Sequence, residues 1–545
     1  MQNSEAFDYV IVGAGSAGCV LANRLTASGR HRVLLVEAGP NNRHPWLHIP
    51  LGFGRLFNNR RFNWCYQTEP QPGCHNRRVI APRGRVLGGS SSINGLIYIR
   101  GQAQDFNVWR QLGNAGWSFE EVLPYFRKAE DNERGADQFH GVGGPLAVSD
   151  LCDRHPLAKA FVEATLECGY PRNDDFNGSM QEGAGYYQTT MRNGVRSSTA
   201  TGYLKSARRR GNLKVVSEAL ATRILFDGRR ATAVEYVVGN DNYCARASVE
   251  VIVSSGAFNS PQLLQLSGIG PASLLQSFGI TVIADAQGVG DSLNDHFSGR
   301  IVLRCKEPIT LNDAVRTWAG KASAGLRYAF TRRGYLAVPA ISAGCFVRAH
   351  PSSETPDSQC SIALYSADTI GGKLHPFPGV TGVCVLLRPE SRGYVRIRSA
   401  DPRDAPAIHP NYLATHKDQE TIVEGVKAMR RIFQAPAMAR HIAEEIEPGR
   451  QCENDNDLLD FIRRRGSTTY HPVGTCRMGQ DQNAVVDERL RVRGFTGLRV
   501  VDASIMPAVV SGNTNAATIM IGEKGADMII EDAKSGTSAS APSLH

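Results

Sequence analysis

The chain has 545 residues, 42% of them hydrophobic and 21% charged, with a net charge of +9. That length exceeds one ordinary core and predicts two or three interleaved domains of a globular protein. No apolar run reaches the ~18–20 residues that span a bilayer, and the arginine clusters 208–210 and 463–465 lack interleaved aromatics, so they read as solvated helix ends rather than a nucleic-acid site.

Strand-like sequence begins by Phe7, so no signal peptide is read. Twelve scattered cysteines without a CxxC pair fit reduced, mostly buried thiols in a cytoplasmic protein. Peripheral contact with the inner face of the membrane stays open, as does the oligomeric state.

Phe7 to Val12 is an apolar, β-branched run that suits a buried parallel strand. Gly13, Gly15 and Gly18 then complete GxGxxG, with Ser16 inside the turn. Cys19 to Ala27 has helical apolar spacing, Gly29 stops that helix, and Arg32 to Val36 is a second strand ending at Glu37. This strand–turn–helix–strand context is what dinucleotide binding requires. Gly13 allows the sharp turn, Gly15 lets a pyrophosphate approach the backbone, and Gly18 lets helix pack on strand. The helix N-terminus stabilises phosphate charge, and Glu37 can accept from ribose hydroxyls. FAD and NAD share this half-site, so it does not choose between them.

Residues 84–107 read as a Gly/Ser-rich loop leading into a helix, with GGSS (88–91) leaving the backbone accessible. An apolar strand over 249–253 leads into SSGAFNSPQLLQLSGIG (254–270). Ser361 to Tyr365 is a short strand. Residues 381–398 read as two strands joined around Glu390-Ser391-Arg392-Gly393. Over 420–433, Ile422, Val426, Met429 and Phe433 share one helical face. Together these predict an antiparallel sheet backed by helices. Trp64, Phe346 and Tyr365 are candidate pocket aromatics for which core packing is the default role.

The stretches 84–101 and 256–270 resemble, position by position, the two signatures of the glucose–methanol–choline (GMC) oxidoreductases. The resemblance runs from Phe7 to about Ile530 and includes GVGDSLNDH (288–296), YHPVGTCRMG (470–479), LRVVDASIMP (498–507) and GNTNAATIMIGEKGAD (512–527). NWCYQTEPQ (63–71) and YHPVGTCRMG are most similar to the bacterial alcohol/choline dehydrogenase branch. The family usually has Asn at Ser292 and Gln at Asn294. The implied fold class is α/β plus α+β: a Rossmann-like FAD-binding domain interleaved with a substrate domain. The expected bounds are 1–155, 212–300 and 466–532 for the FAD domain, 156–211 and 301–465 for the substrate domain, and 533–545 for a disordered tail.

The resemblance also implies site residues. Gly13, Gly15, Ser16, Gly18, Glu37 and Ala38 would hold the ADP half of FAD. Arg85, Gly88, Gly89, Asn94 and Gly95 would line the flavin and its linker. Ala221 would contact adenine through its backbone, with Asp502 and Ala503 by the ribityl and pyrophosphate. Some members attach FAD through a His in the first signature; Ile93 stands there, so FAD is expected to be non-covalent.

The family pattern puts the catalytic histidine at His471 and its amide partner at Asn515, also a cofactor contact. The alternative for Asn515 is a helix N-cap within Asn513-Thr514-Asn515, and the other histidines, His296 included, read as structural or surface residues. Alcohol oxidation removes a hydroxyl proton and sends a hydride to flavin N5, so a base must reach the hydroxyl. A neutral His with pKa about 6.5 suits that work. Against an alcohol as weak an acid as water, pKa ~15.7, it falls short by roughly 12 kcal/mol. Proton and hydride must therefore leave nearly together, or the site must stabilise the alkoxide. No Cys/His pair has zinc-like spacing. The expected activity is FAD-dependent oxidation of a primary alcohol to an aldehyde, with a quinone or other electron acceptor. An O₂-using alcohol oxidase and a hydroxynitrile-lyase-like enzyme are the alternatives.

Overall fold

The computed structural model describes residues 5–369 and 371–535. In chain order, the elements that position the site begin with β1 (Glu5–Val12), α1 (Ser16–Leu25), β2 (Val33–Val36), α2 (Pro156–Glu167), β3 (Gly183–Tyr186) and β4 (Leu213–Val216). Next come β5 (Ala219–Asp227), β6 (Arg230–Val238), β7 (Asp241–Val253), α3 (Gly256–Leu266), β8 (Phe297–Cys305), α4 (Trp318–Thr331) and β9 (Ile341–Val347). The chain closes with β10 (Ser358–Ala363), β11 (Gly379–Leu386), α5 (His416–Gln434), β12 (Ile442–Glu447), α6 (Asp455–Arg465), β13 (Ser467–Thr468), β14 (Leu498–Val500) and α7 (Asn515–Ser535).

Two seven-stranded sheets organise these elements. The first has the order β4-β2-β1-β7-β6-β5, with β14 also on β7. Its β4, β2, β1, β7 and β14 run parallel, which explains why β1 and β2 are apolar on both faces. The β7-β6-β5 part is an antiparallel meander. Helices α1 and α7 pack on each other against this sheet. The approach of α1 to β1 is set by glycine: a Cβ on Gly18 would lie 1.9 Å from the Gly13 carbonyl oxygen, and Gly13 itself has φ +100°.

The second sheet, β12-β8-β11-β10-β9-β3 with β13 on β8, is antiparallel. One face is covered by α5 and α2, where Ile422, Val426, Met429 and Phe433 are buried as their spacing predicts. The other face turns toward the first sheet.

Residues 381–398 hold the two expected strands joined through residues 390–393, but the strands do not pair with each other: β11 ends at Leu386, and Tyr394–Arg396 pairs with Ala407–His409 in a separate ribbon. Pro389 offers no N–H there, and the Asp418 carboxylate takes the Glu390 and Ser391 N–H groups at 2.8 and 2.9 Å, diverting the chain into a loop. Ala200, Tyr203 and Leu204 pack in the core of the first sheet, although the expected bounds gave them to the substrate domain. The tail expected from residue 533 starts later: residues 533–535 close α7, and 536–545 lie outside the described residues. Among the described residues no helix is long and apolar enough to cross a membrane.

Candidate active site

A cavity of about 630 Å³ runs between the two sheets. One end is walled by the βα turn of the first sheet, the other by β8, β10 and β11 of the second. Of the residues expected to hold cofactor, Gly13, Gly15, Ser16, Glu37, Ala38, Gly89, Asn94, Gly95, Ala221, Asp502, Ala503 and Asn515 line it. Gly18, Arg85 and Gly88 do not. Gly18 is packing, as above. Gly88 is a left-handed turn whose N–H bonds Ala14 O at 2.7 Å. The Arg85 guanidinium lies over the Trp64 ring at 5.0 Å.

The nucleotide end fits FAD. Helix α1 starts at Gly15 with no side-chain cap and no acid in its first turn, so its free N–H groups remain for an anion. A Cβ at Gly95 or Gly256 would meet nothing within 4 Å, leaving bare backbone at the cavity wall. Buried Glu37 accepts from Ala14 N at 2.9 Å and Gly39 N at 2.8 Å, and burial raises its carboxyl to about 7. Hydroxyl donors from a ribose would relieve that burial cost. Asp502 anchors α3 by accepting from Gly256 N and Ser260 Oγ. Behind the flavin-side loop, buried Arg196 donates to Asn94 Oδ1 at 2.6 Å. Among the described residues it has no ion-pair partner, so it brings uncompensated positive charge there. The sequence reading missed it because nothing local marks it.

His471 lies deeper in the cavity wall. It follows β13 on a loop clamped to segment 288–297. Asn294 and Val473 exchange backbone hydrogen bonds of 3.0 and 2.8 Å, and Thr469 N donates to His296 O at 3.1 Å. A Cβ at Gly474, φ +90°, would meet Ser292 O at 2.4 Å, so only glycine lets the strands meet. The buried Asp295 carboxylate accepts from His471 N at 2.8 Å, Thr468 Oγ1 at 2.6 Å and the Tyr412 hydroxyl at 2.5 Å. The NDH segment (294–296) thus holds the histidine loop in place.

Its third residue matters more. His296 Nδ1 is 2.9 Å from His471 Nδ1, and His296 Nε2 is 2.9 Å from Leu387 O. A carbonyl oxygen only accepts, so the proton of neutral His296 is on Nε2 and its Nδ1 is an acceptor. His471 must then donate from Nδ1, which leaves its Nε2 unprotonated, an acceptor. Asn513 Nδ2, 3.1 Å away, donates to it. Burial lowers His296 to about 4, and burial, then His296, then Arg83 hold His471 well below 6.5. Both rings are neutral near pH 7.

Two expectations are corrected here. His296 is neither a surface nor a merely structural histidine, since it sets the tautomer of His471. The amide bonded to His471 is Asn513, not Asn515. Asn515 opens α7 and its Oδ1 accepts from Ser16 Oγ at 2.8 Å, which ties it to the nucleotide end. The two asparagines are two residues apart in an irregular turn, and periodicity cannot rank them. Asn513 lines the cavity, and its Oδ1 is buried without a protein partner.

The aromatics divide as well. Trp64 and Tyr365 line the cavity, while Phe346 is core, packed on Phe176 and Tyr187. Arg464 and Arg465, read as a solvated helix end, line the cavity too. With Arg77, Arg78, Arg83 and Arg300 they make its half toward the second sheet arginine-rich, Asp368 is the lone acid among the described lining residues there, and Arg300 and Arg465 are paired to Glu447 behind the wall.

Comparison with known proteins agrees with this geometry. Family models described as GMC oxidoreductase match residues 7–298 and 389–522. The chain is 44% identical over 529 residues to the alcohol dehydrogenase [acceptor] of Pseudomonas putida, covering 96% of each chain. It is 45% identical over 538 residues to human mitochondrial choline dehydrogenase, covering 97% of this chain and 90% of that one. Pyridoxine 4-oxidase from Mesorbium loti superposes with a TM-score of 0.87 at 32% identity, over 96% of this chain and 99% of that one.

Proposed function

This chain belongs to the GMC oxidoreductase family, a flavoenzyme family, and from that premise we propose that it oxidises an uncharged primary alcohol to an aldehyde and delivers the electrons to a quinone-type acceptor. The observation that carries the reading is the His296–His471–Asn513 chain, which leaves His471 Nε2 unprotonated and beside an amide donor at the cavity wall.

FAD, when bound, supplies the hydride acceptor. His471 Nε2 accepts the hydroxyl proton, and Asn513 Nδ2 donates to the same oxygen without competing for that proton. A base held below 6.5 widens the gap to the alcohol beyond roughly 12 kcal/mol, at ~1.36 kcal/mol per pKa unit. Free alkoxide therefore does not accumulate, and proton transfer must accompany loss of the hydride. Arg83, half-buried and bonded to the Tyr470 carbonyl beside His471, adds positive charge near this site.

The substrate half of the cavity supports an uncharged alcohol over choline, the substrate in the name of one relative. A quaternary ammonium seeks a carboxylate or an open aromatic face. The wall presents arginines, and Trp64 is already stacked on Tyr66 and covered by Arg85.

The test is anaerobic mixing of FAD-loaded protein with a panel of alcohols, reading flavin bleaching. Uncharged primary alcohols should bleach the flavin faster than choline. His471→Ala should retain FAD and lose several orders of magnitude in bleaching rate. Near-normal reduction of that variant would overturn the base assignment, and absence of bleaching by any alcohol would favour a lyase. Turnover in air equal to that with an added acceptor would favour an oxidase.

A further inference from the structure

Helix α4 carries Trp318, Leu326 and Phe330 at 83, 59 and 84% exposure, three of the few large apolar side chains left in water. Of the others, Val108 and Leu112 lie four residues apart at the end of another helix, and Ile80, Val142 and Met180 are scattered along the chain. At 3.6 residues per turn, Trp318, Ala329, Ala322, Leu326, Ala319 and Phe330 fall in one arc about 120° wide. Lys321 borders one edge of this arc and Arg327 the other. Tyr328 points away from it, buried at 5% exposure and donating its hydroxyl to Gly194 O at 3.0 Å, which fixes the helix to the body by its opposite side.

The charge around this face is of one sign. Residues 316–333 hold Arg316, Lys321, Arg327, Arg332 and Arg333 and no acid. The facing acid from another element is Asp153, 3.8 Å from Arg327.

We propose that α4 is a membrane-docking element, which lays Trp318, Leu326 and Phe330 into the interface of an anionic lipid bilayer while its flanking cations meet the headgroups. The proposal is independent of which alcohol is oxidised. An apolar arc bordered by Lys and Arg, with Trp at one end, is the pattern of a helix lying in a bilayer interface. Fourteen residues make a helix about 21 Å long, too short to span the ~30 Å hydrocarbon core. A second copy of the chain is the poorer occupant, because a two-fold contact would bring the same five cations face to face. The position also suits a lipid-soluble acceptor: α4 leads through the turn Tyr335–Ala337 into β9, whose Ile341 lines the cavity.

The test is co-sedimentation of FAD-loaded protein with phosphatidylcholine vesicles, with and without phosphatidylglycerol, at low and high salt. Binding should need phosphatidylglycerol and weaken with salt. Two variants should each lower the bound fraction at least about tenfold: Trp318→Ser/Leu326→Ser/Phe330→Ser and Lys321→Glu/Arg327→Glu. Both should keep full FAD content and normal turnover with a water-soluble dye. Failure of the unaltered protein to bind these vesicles would overturn the proposal. So would binding unchanged in both variants, or a serine variant whose only effect is to split a dimer.

Discussion

His471 receives its working tautomer from a neighbour. Leu387 O holds the proton of His296 on Nε2, so His296 Nδ1 must accept from His471. Burial is the main cause that depresses the pKa of His471, and a depressed pKa keeps a base neutral to lower pH. The acid limb of the flavin-reduction rate should therefore fall below pH 6.5, with full rate above it. His296→Ala removes the acceptor that fixes this tautomer: reduction should slow on the order of 100-fold, while the acid limb, set mainly by burial, stays below 6.5. His296→Gln can still donate to Leu387 O and accept from His471, so it should restore most of the rate. Stopped-flow reduction across pH checks this; equal rates in the Ala and Gln variants would leave His296 a mere packing residue.

At the scale of elements, the nucleotide half-site was legible because each part is local. The residues of GxGxxG fix the turn, the helix start and the α1–β1 approach within one stretch of chain. The two strands over 381–398 show the reverse: alternation marks strands but cannot say with which partner they pair. Long-range ties also went unread. Arg499 on β14 meets Glu250 on β7 at 2.7 Å and Asp532 on α7 at 2.6 Å, all three nearly buried. Arg499→Met would leave Glu250 without a cation and Asp532 with Arg489 alone. We expect a loss of about 3–5 kcal/mol, read as a lowered thermal midpoint, with FAD released in the same transition because α7 carries Asn515. An unchanged midpoint would mean that both carboxylates find other partners.

For the whole molecule, the cavity is assembled from segments hundreds of residues apart, so cofactor retention depends on the fold. His471 is the one histidine among the described lining residues, no cysteine lines the cavity, and Ile93 occupies the wall of the flavin-side loop. Denaturation in acid should release all flavin to the supernatant; flavin fluorescence left in the precipitate would show a covalent link. The net charge of +9 also takes its meaning only here. Spread along the sequence it is a mild excess. Folding gathers arginines at the substrate half of the cavity and cations around the exposed face of α4, two fields that composition cannot distinguish.

The sequence by itself determined the family and the strand–turn–helix around GxGxxG, because short-range sterics and continuous motifs encode them. It could not determine which nitrogen of His471 is free, which asparagine meets it, or what His296 does. Those follow from contacts between residues 296, 471 and 513. A proton's position on an imidazole is set by what lies within 3 Å of the ring, and only the tertiary structure decides that.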